Sequence, residues 1–525
     1  MSVPSSVIHI VSGVPINNSY EHTLWFPTKV QQTAYFLENT VKTYDRFTYL
    51  KPEKVIKVAG YVENARSWNY LMFQNDAGKW YYHFITKVVY LNDNAVELHL
   101  ELDVIQTYMF DWELRPCFIE RMHTETDEFG EHTIPEGLET GPLIQYNTQE
   151  IQLEDNYIII MMSSTADGLN GYGRLYGGVF SGLTVYAVDP VAPGNIMSLN
   201  QWLDKASGEG FIDAIVAMWM YPKELVTVGD YFTGAYGDTV LKEVTGINDT
   251  STKTITDPIK GTIDGYLVKN KKTLTYPYTM LYVTNNMGGC AVYHRERFEN
   301  ETDGEYKFTM LGAMSPDSGV QLTPHRYKGS SGYTFEEALT LPAFPSCAWA
   351  SDTYLVWLAQ NQHTLENAQS QALIQAGTGI IQSLTGNPFG GASSAYSALT
   401  STQALMAQKA DMAIQPDQAR GQHSGNINLT HGHHGFSCHF MTITSEYAKA
   451  IDQYFTRYGY KVNKLATPNL HTRELFTYVK TVGSLVTGNL GTEDQLKIQA
   501  IFDKGLTFWA DPSKVGSYFN PNNPL

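Results

Sequence analysis

Charge is missing from one long part of this sequence. From Asn367 to Gln408, 42 consecutive residues include no Asp, Glu, Lys or Arg. Cysteine is scarce as well. Cys117, Cys290, Cys347 and Cys438 lie far apart and form no CxxC pair, which argues against a zinc ribbon and a disulfide-dense secreted scaffold and leaves free thiols. No Lys or Arg precedes Lys29, so the basic leader region of a secretory signal is lacking, and synthesis in the cytoplasm without a signal peptide is expected. No stretch carries the roughly 20 predominantly apolar residues of a membrane span. Basic residues are outnumbered, 36 against 53 acidic, and the net charge of −17 is scattered along the chain. That balance disfavours nucleic-acid binding through a basic footprint but suits a wall past which DNA slides without adhering. The signatures of common enzymes are absent too: there is no GxSxG, HExxH, P-loop or GxGxxG, so no catalytic residue and no cofactor is assigned.

What is present favours sheets. The 34 Tyr and 23 Phe in 525 residues, with only 17% charged, suit half-buried β surface, and the length calls for two to four domains. The expected class is mainly β with minor α. "KWYYHFITKVVYL" (79–91) and "AVELHLELDVIQTYMF" (95–110) read as strands around the turn Asn92-Asp93-Asn94. In the second, Val96, Leu98, Leu100, Leu102 and Val104 alternate with Glu97, His99, Glu101 and Asp103, the pattern of a sheet with one wet face. Residues 156–164 and 183–189 read as strands and 211–225 as a short helix interrupted by Pro222. Towards the end, a β segment at 435–447 precedes a helix with Tyr447, Ile451, Tyr454 and Tyr458 on one face and Gly459 as its cap. Thr492 and Gln495 have the spacing of a capping box ahead of a helix ended by Gly505, and "LTFW" closes the fold as a strand.

Two constellations remain. The uncharged run is rich in Ala, Gly, Ser and Thr. Drawn as helices, Leu373, Ile380, Ile381 and Leu384 fall on one side before the "GNPFGG" turn (386–391), and Leu399 with Met406 after it. Five glycines between 377 and 391 cost roughly 1 kcal/mol each in a helix, so the arms need neighbours or lipid to hold them. The segment reads either as a hairpin packed among subunits, as a mobile loop, or as a conditional membrane-inserting loop, in which small residues allow close packing and the lack of charge removes the largest insertion penalty. Ile374, Phe389, Tyr396 and Leu405 complete its apolar set. The second constellation is "HSGNINLTHGHHGFSCHF" (423–440). It matches no zinc spacing, so no metal site is expected, whereas His431, His433, His434 and His439 charging together near pH 6 would form a pH-sensing cluster. Cys438 and His439, adjacent on a strand, point to opposite faces and make no catalytic dyad. "DGLNGYG" (167–173) resembles a calcium loop only loosely and lacks the required Glu.

Several stretches, in order, resemble the tail knob (distal tube) proteins of short-tailed, Salasvirus-like phages of Gram-positive bacteria. They are "VPINNSYEHTLWF" (14–26), "YLMFQND" (70–76), "KWYYHF" (79–84), "LDVIQTYMFD" (102–111), "PEGLETG" (135–141), "TLENAQS" (364–370), "YGYKVNKLATPNLHTRELFTYVKT" (458–481) and "IFDKGLTFW" (501–509). The resemblance covers roughly the first 145 and last 165 residues; the middle third and the His-rich segment depart from it. It implies tube-type β domains forming a ring, with residues 1–149 and 415–525 as the two parts of the tube domain. Residues 150–345 would be an inserted knob region, 346–371 a return segment, and 372–414 a membrane-active loop. It implies a homohexamer at the virion tail tip that contacts other tail proteins on the collar and tip sides and lets viral DNA pass through its lumen. Its loops would plug the lumen and then enter host cytoplasmic membrane lipids as a channel. The competing expectation is a cell-wall-binding or peptidoglycan-degrading tail protein using the Cys438 region or exposed Tyr and Trp.

Overall fold

The computed structural model describes residues 6–47, 54–153, 155–163, 175–176, 179–180, 183–191, 197–209, 211–231, 240–248, 250–299, 304–312, 314, 319–335, 337–342, 344, 346–347, 349–351, 418–420 and 434–525. Strands outnumber helices in it. A six-stranded antiparallel sheet runs in the order Thr40–Phe47, Ser6–Ser12, Trp68–Gln74, Trp80–Asn92, Ala95–Leu102, Val55–Ala59. The expected hairpin is there, with Asn92 opposite Ala95 across a tight turn. Val96, Leu98 and Leu100 are buried against Ile8, Ile10, Ile56, Val58 and Leu71, while Glu97, His99 and Glu101 stay half-exposed.

The alternation stops at Leu102, earlier than the pattern predicts. Asp103 leaves the ladder and caps a short helix, Val104–Tyr108, its Oδ1 accepting from the Gln106 N–H at 3.1 Å and its Oδ2 from the Tyr70 hydroxyl at 2.8 Å. A short carboxylate bonded to nearby main chain competes directly with sheet pairing, and here it wins. Val104 consequently joins a different core, packed with Tyr20, Phe36, Tyr70 and Phe84.

That core lies between the six-stranded sheet and a five-stranded one ordered His22–Leu24, Leu506–Trp509, Phe476–Val482, Cys117–Met122, Tyr460–Ala466. The first pair is parallel and the others antiparallel, so both ends of the chain are woven into one sheet. Burying each of Phe476, Phe508 and Trp509 contributes roughly 1.5–3 kcal/mol. The "LTFW" strand is therefore structural. Helix Ser445–Tyr458 forms as expected and ends at Gly459, whose φ is 62°. A β-carbon there would stand 2.2 Å from the Met122 carbonyl oxygen, so the position admits only glycine.

Two expectations are corrected. The last helix, Thr492–Lys504, starts one residue early: Gly491 is its cap, Gln495 N–H bonds the Gly491 carbonyl at 2.9 Å, and the Gln495 side chain reaches Val486 instead of closing a capping box. Residues 211–225 are not a helix. After a single 3-10 turn, Ile215–Pro222 is a strand, paired along Asn156–Ser163. Its β-branched and aromatic side chains bury Ile215, Met218, Trp219 and Tyr221, and sheet pairing overrides the periodicity. Pro222 sits at the end of this outermost strand, where its missing N–H costs no ladder bond.

Two further sheets belong to the middle of the chain. Five strands run Ile215–Pro222, Asn156–Ser163, Leu183–Val188, Lys242–Ile247, Val226–Tyr231, and four run Thr250–Thr256, Glu305–Gly312, Val320–Pro324, Leu339–Leu341. Another four-stranded sheet mixes segments: Leu143–Gln152, Gly435–Ile443, Thr279–Thr284, Cys290–Tyr293. Residues 279–293 thus share a sheet with strands from before and after the middle third.

Candidate functional site

The uncharged run is bracketed by a structural stem. Trp349–Ser351 pairs antiparallel with Gln418–Arg420, Trp349 opposite Arg420 and Ser351 opposite Gln418. Chain departure and return are thereby side by side. The stem is anchored to the five-stranded sheet: Ser346 bridges to Trp219, and Cys347 N–H donates to the Met218 carbonyl at 2.8 Å. The apolar set Leu373, Ile374, Ile380, Ile381, Leu384, Phe389, Tyr396, Leu399, Leu405 and Met406 lies outside the described residues, as do His431 and His433 and the "DGLNGYG" stretch. Among the described residues no helix is long and apolar enough to cross a membrane.

Below the stem the two flanks meet again. Phe344 is buried, its ring 4.9 Å from that of Tyr221 and 6.5 Å from the imidazole of His434. The His434 carbonyl accepts the Leu153 N–H at 3.0 Å, and Gly435 opposite Gln152 starts the strand Gly435–Ile443. A side chain at Gly435 would run into the Ile151 carbonyl at 2.2 Å, which fixes glycine at the entry. His434 is only 6% exposed, and neither ring nitrogen has a hydrogen-bond partner among the described residues. Burial lowers its pKa below the ordinary 6.5, so the ring is neutral at neutral pH.

His439 is differently placed. It is half-exposed, its Nδ1 is 3.1 Å from the Thr148 hydroxyl, and its ring stacks on Tyr282 at 6.2 Å. Five residues apart along an extended run, His434 and His439 are not brought together. Cys438 is fully buried in the core beside Phe436 and Phe440, and burial pushes its thiol up to about 12. A thiol that stays protonated and out of reach of solvent is no nucleophile, which removes the Cys438 basis for wall hydrolysis. Among the described residues no three His, Cys, Asp or Glu side chains cluster as metal ligands.

Other residues that matter were not legible from spacing. Glu136, in the "PEGLETG" stretch, is buried and bound by both Arg121 and Lys272, and it accepts the Lys461 N–H at 2.9 Å. Arg121 also donates to the Gly459 carbonyl at 2.7 Å. One carboxylate thus ties the first, middle and last thirds of the chain. Similarly, Arg295 reaches Asp257, Tyr146 and Tyr306 within 2.7–2.8 Å. Asp452, fully buried in its helix, accepts from the Tyr266 hydroxyl and the Lys269 and Asn270 N–H groups at 2.9–3.1 Å. Lys272 and Glu136, Arg295 and Tyr146, and Tyr266 and Asp452 lie more than a hundred residues apart, so no local signal marks these joints.

The stem, its anchored flanks and the joints between thirds form a scaffold, with no cleft of converging acid, base and nucleophile among the described residues. Comparisons with known proteins agree in kind. The family model of the C-terminal domain of tail knob protein gp9 of Bacillus phage phi29 matches residues 245–523, and that of the caudoviral major tail protein N-terminus matches residues 4–113. Tail knob proteins gp9 of Bacillus phages phi29 and B103 are each 26% identical to this chain, and that of phage PZA 25%, with 97% of both chains covered in every case. The solved structure of the bacteriophage C1 tail knob protein gp12 superposes with a TM-score of 0.68 at 15% identity, covering 99% of this chain and all of that one, a likeness of fold. Matched by the gp9 model over more than half its length and in the same order as the sequence resemblance, the chain belongs to the phage tail knob protein family, structural components of the virion tail.

Proposed function

We propose that the chain assembles as a homohexameric distal tube at the tail tip, a conduit through which viral DNA leaves the particle. In this reading residues 1–149 and 415–525 supply the tube-type domain and 150–345 the knob region, with other tail proteins above and at the tip. The uncharged segment plugs the lumen among its sister copies and, at the host envelope, enters the cytoplasmic membrane as a channel.

The observation that carries this reading is the pairing of Trp349–Ser351 with Gln418–Arg420. An excursion whose ends are held together at its base can leave one environment for another without disturbing the scaffold that anchors it. Its composition fits both environments: no ionisable side chain to carry into lipid, and apolar content too modest to force association in water. The acidic balance of −17 per chain suits a lumen that does not retain DNA.

Removing residues 374–408 tests it. Six-fold rings should still be seen by electron microscopy, because the stem and its anchors are untouched, while dye release from anionic liposomes should be lost. Dye release undiminished in the shortened protein would reject the membrane role of the segment.

A further inference from the structure

A second feature of the molecule lies far from the stem, in the six-stranded sheet. Its two outermost strands, Thr40–Phe47 and Val55–Ala59, do not pair through their main chains, yet the sheet curls until they face each other. Lys42 Nζ donates to the Ala59 carbonyl at 2.9 Å, and the Tyr44 hydroxyl reaches the same oxygen. The result is a barrel left unlaced along one seam. The seam opens into a cleft of about 550 Å3, inside the range of roughly 300–1,000 Å3 typical of small-molecule sites.

The cleft is rimmed by Lys42, Tyr61, Asn64, Ser67, Trp68 and Asn94. Its corner is rigid. Gly60 N–H donates to the Asn94 carbonyl at 2.9 Å, and a β-carbon on Gly60 would press on the Trp68 ring at 2.9 Å, so glycine lets the main chain lie against the indole. Three of its polar side chains are unspent. The amides of Asn64 and Asn94 and the phenol of Tyr61, 59% exposed, have no hydrogen-bond partner among the described residues. Lys42 lies 5.0 Å from the Tyr44 ring centre and 6.0 Å from that of Trp68, with no carboxylate in ion-pair range among the described residues.

We infer that this seam binds a sugar ring carrying an anionic substituent, of the glycosyl phosphate type. Two free amides offer paired donors and acceptors to vicinal hydroxyls, and the exposed Tyr61 face suits the C–H face of a pyranose. The uncompensated ammonium of Lys42 takes the anion. A bare inorganic anion uses only Lys42, and an apolar peptide leaves both amides unpaired, so neither matches the whole set. The inference is independent of the membrane segment.

Saturation-transfer NMR and calorimetry on the full-length protein test it, with glucose 1-phosphate, glucose and inorganic phosphate as probes. Glucose 1-phosphate should bind with saturation on its ring protons and at least tenfold tighter than either of the other two. Lys42→Gln should reduce its affinity to that of glucose, Lys42→Arg should retain it, and Tyr61→Ala should abolish ring saturation for both sugars; both positions are exposed, and circular dichroism checks the fold. The methyl phosphodiester separates the sources: equal binding marks a unit of a phosphodiester-linked polymer, weaker binding a free sugar phosphate. Equal affinity for inorganic phosphate, unchanged binding by the Lys42→Gln and Tyr61→Ala variants, or no binding at all would overturn the assignment.

Discussion

The ring of Phe344 meets the imidazole of His434 at 6.5 Å and an angle of 62°, although the whole uncharged segment separates them in sequence. Phe344 also packs on Tyr221 of the outermost strand, so one buried ring joins both flanks of the excursion to the sheet that anchors it. Phe344→Ala should cost about 3–5 kcal/mol, read as a lowered urea midpoint, because a buried aromatic ring leaves a cavity its neighbours cannot fill. A loss below about 1 kcal/mol would mean the joint is loose.

His434 adds a pH dependence to the same joint. Its folded pKa is depressed by burial, so the unfolded chain takes up a proton first: the stability is whole above about 6.5 and is lost as the pH falls below that. His434→Leu removes the titrating group and two ring nitrogens that have no partner among the described residues. The variant should lose less stability between pH 7 and pH 5 than the parent protein, measured by urea unfolding. Parallel losses in the two proteins would assign the acid sensitivity elsewhere.

Glu136→Gln should be among the most damaging polar substitutions in the molecule. The carboxylate neutralises Arg121 and Lys272 together, both nearly inaccessible to water, and removing it leaves two buried cations facing each other. Breaking a buried pair this way costs roughly 3–5 kcal/mol. Burial already lowers the Lys272 pKa, and without Glu136 the ammonium should give up its proton more readily. The variant should therefore recover part of its lost stability as the pH is raised towards 10, an unusual direction that thermal melts at pH 7 and pH 9.5 would reveal.

How much of this was legible in the sequence depends on the range of the interaction. The hairpin at 80–102, the strands at 156–163 and 183–188, the helix at 445–458 and its glycine cap are local events, each written in a period or a turn residue. Where a side chain bonds to nearby main chain, as Asp103 does to Gln106, one atom pair overrides a five-residue alternation. Where a partner strand decides, as for Ile215–Pro222, a pattern that suits a helix becomes β. The uncharged segment was legible as composition, whereas the stem at Trp349 and Arg420 and the neck at Phe344 and His434 were not. Those contacts join residues with no shared motif, and only the fold brings them together.

Within the uncharged segment, composition itself makes a prediction. Ile380→Asp together with Ile381→Asp inserts two carboxylates into the apolar arm, and each ionised side chain costs about 2.5–3.5 kcal/mol or more at the centre of a bilayer. Assembly should be unaffected, since the stem and flanks are unchanged, while liposome dye release should fall at least tenfold at pH 7. Partial recovery at pH 4, where the carboxylates regain protons, would tie the loss to charge. Release equal to that of the parent protein at both pH values would place the channel elsewhere.

Asp103 and His123 oppose each other in acid, and the opposition can be unmasked. Burial raises the Asp103 carboxyl to about 6, so the folded state holds its proton more tightly than the unfolded chain. That contribution is present below the ordinary 3.8 and is lost as the pH rises to about 6. His123 runs the other way: its Nδ1 accepts the Tyr478 N–H at 2.8 Å and its Nε2 lies 3.1 Å from the Thr456 carbonyl, a geometry that uses the neutral ring in full. Burial, with Arg473 nearby, lowers it from 6.5 to about 3, so its contribution is complete above 6.5 and is lost as the pH falls. Between pH 4 and pH 6 the two slopes, each approaching about 1.4 kcal/mol per pH unit, largely cancel. Asp103→Asn keeps the cap oxygen for Gln106 but removes one slope, leaving His123 unopposed. The variant should then lose roughly 2–3 kcal/mol more than the parent on going from pH 6 to pH 4, as measured by urea midpoints, even where it is the more stable protein at pH 7. Superimposable pH profiles for the two proteins would show that Asp103 is already ionised in the folded state at pH 4, and that Tyr70 and Gln106 compensate its burial completely.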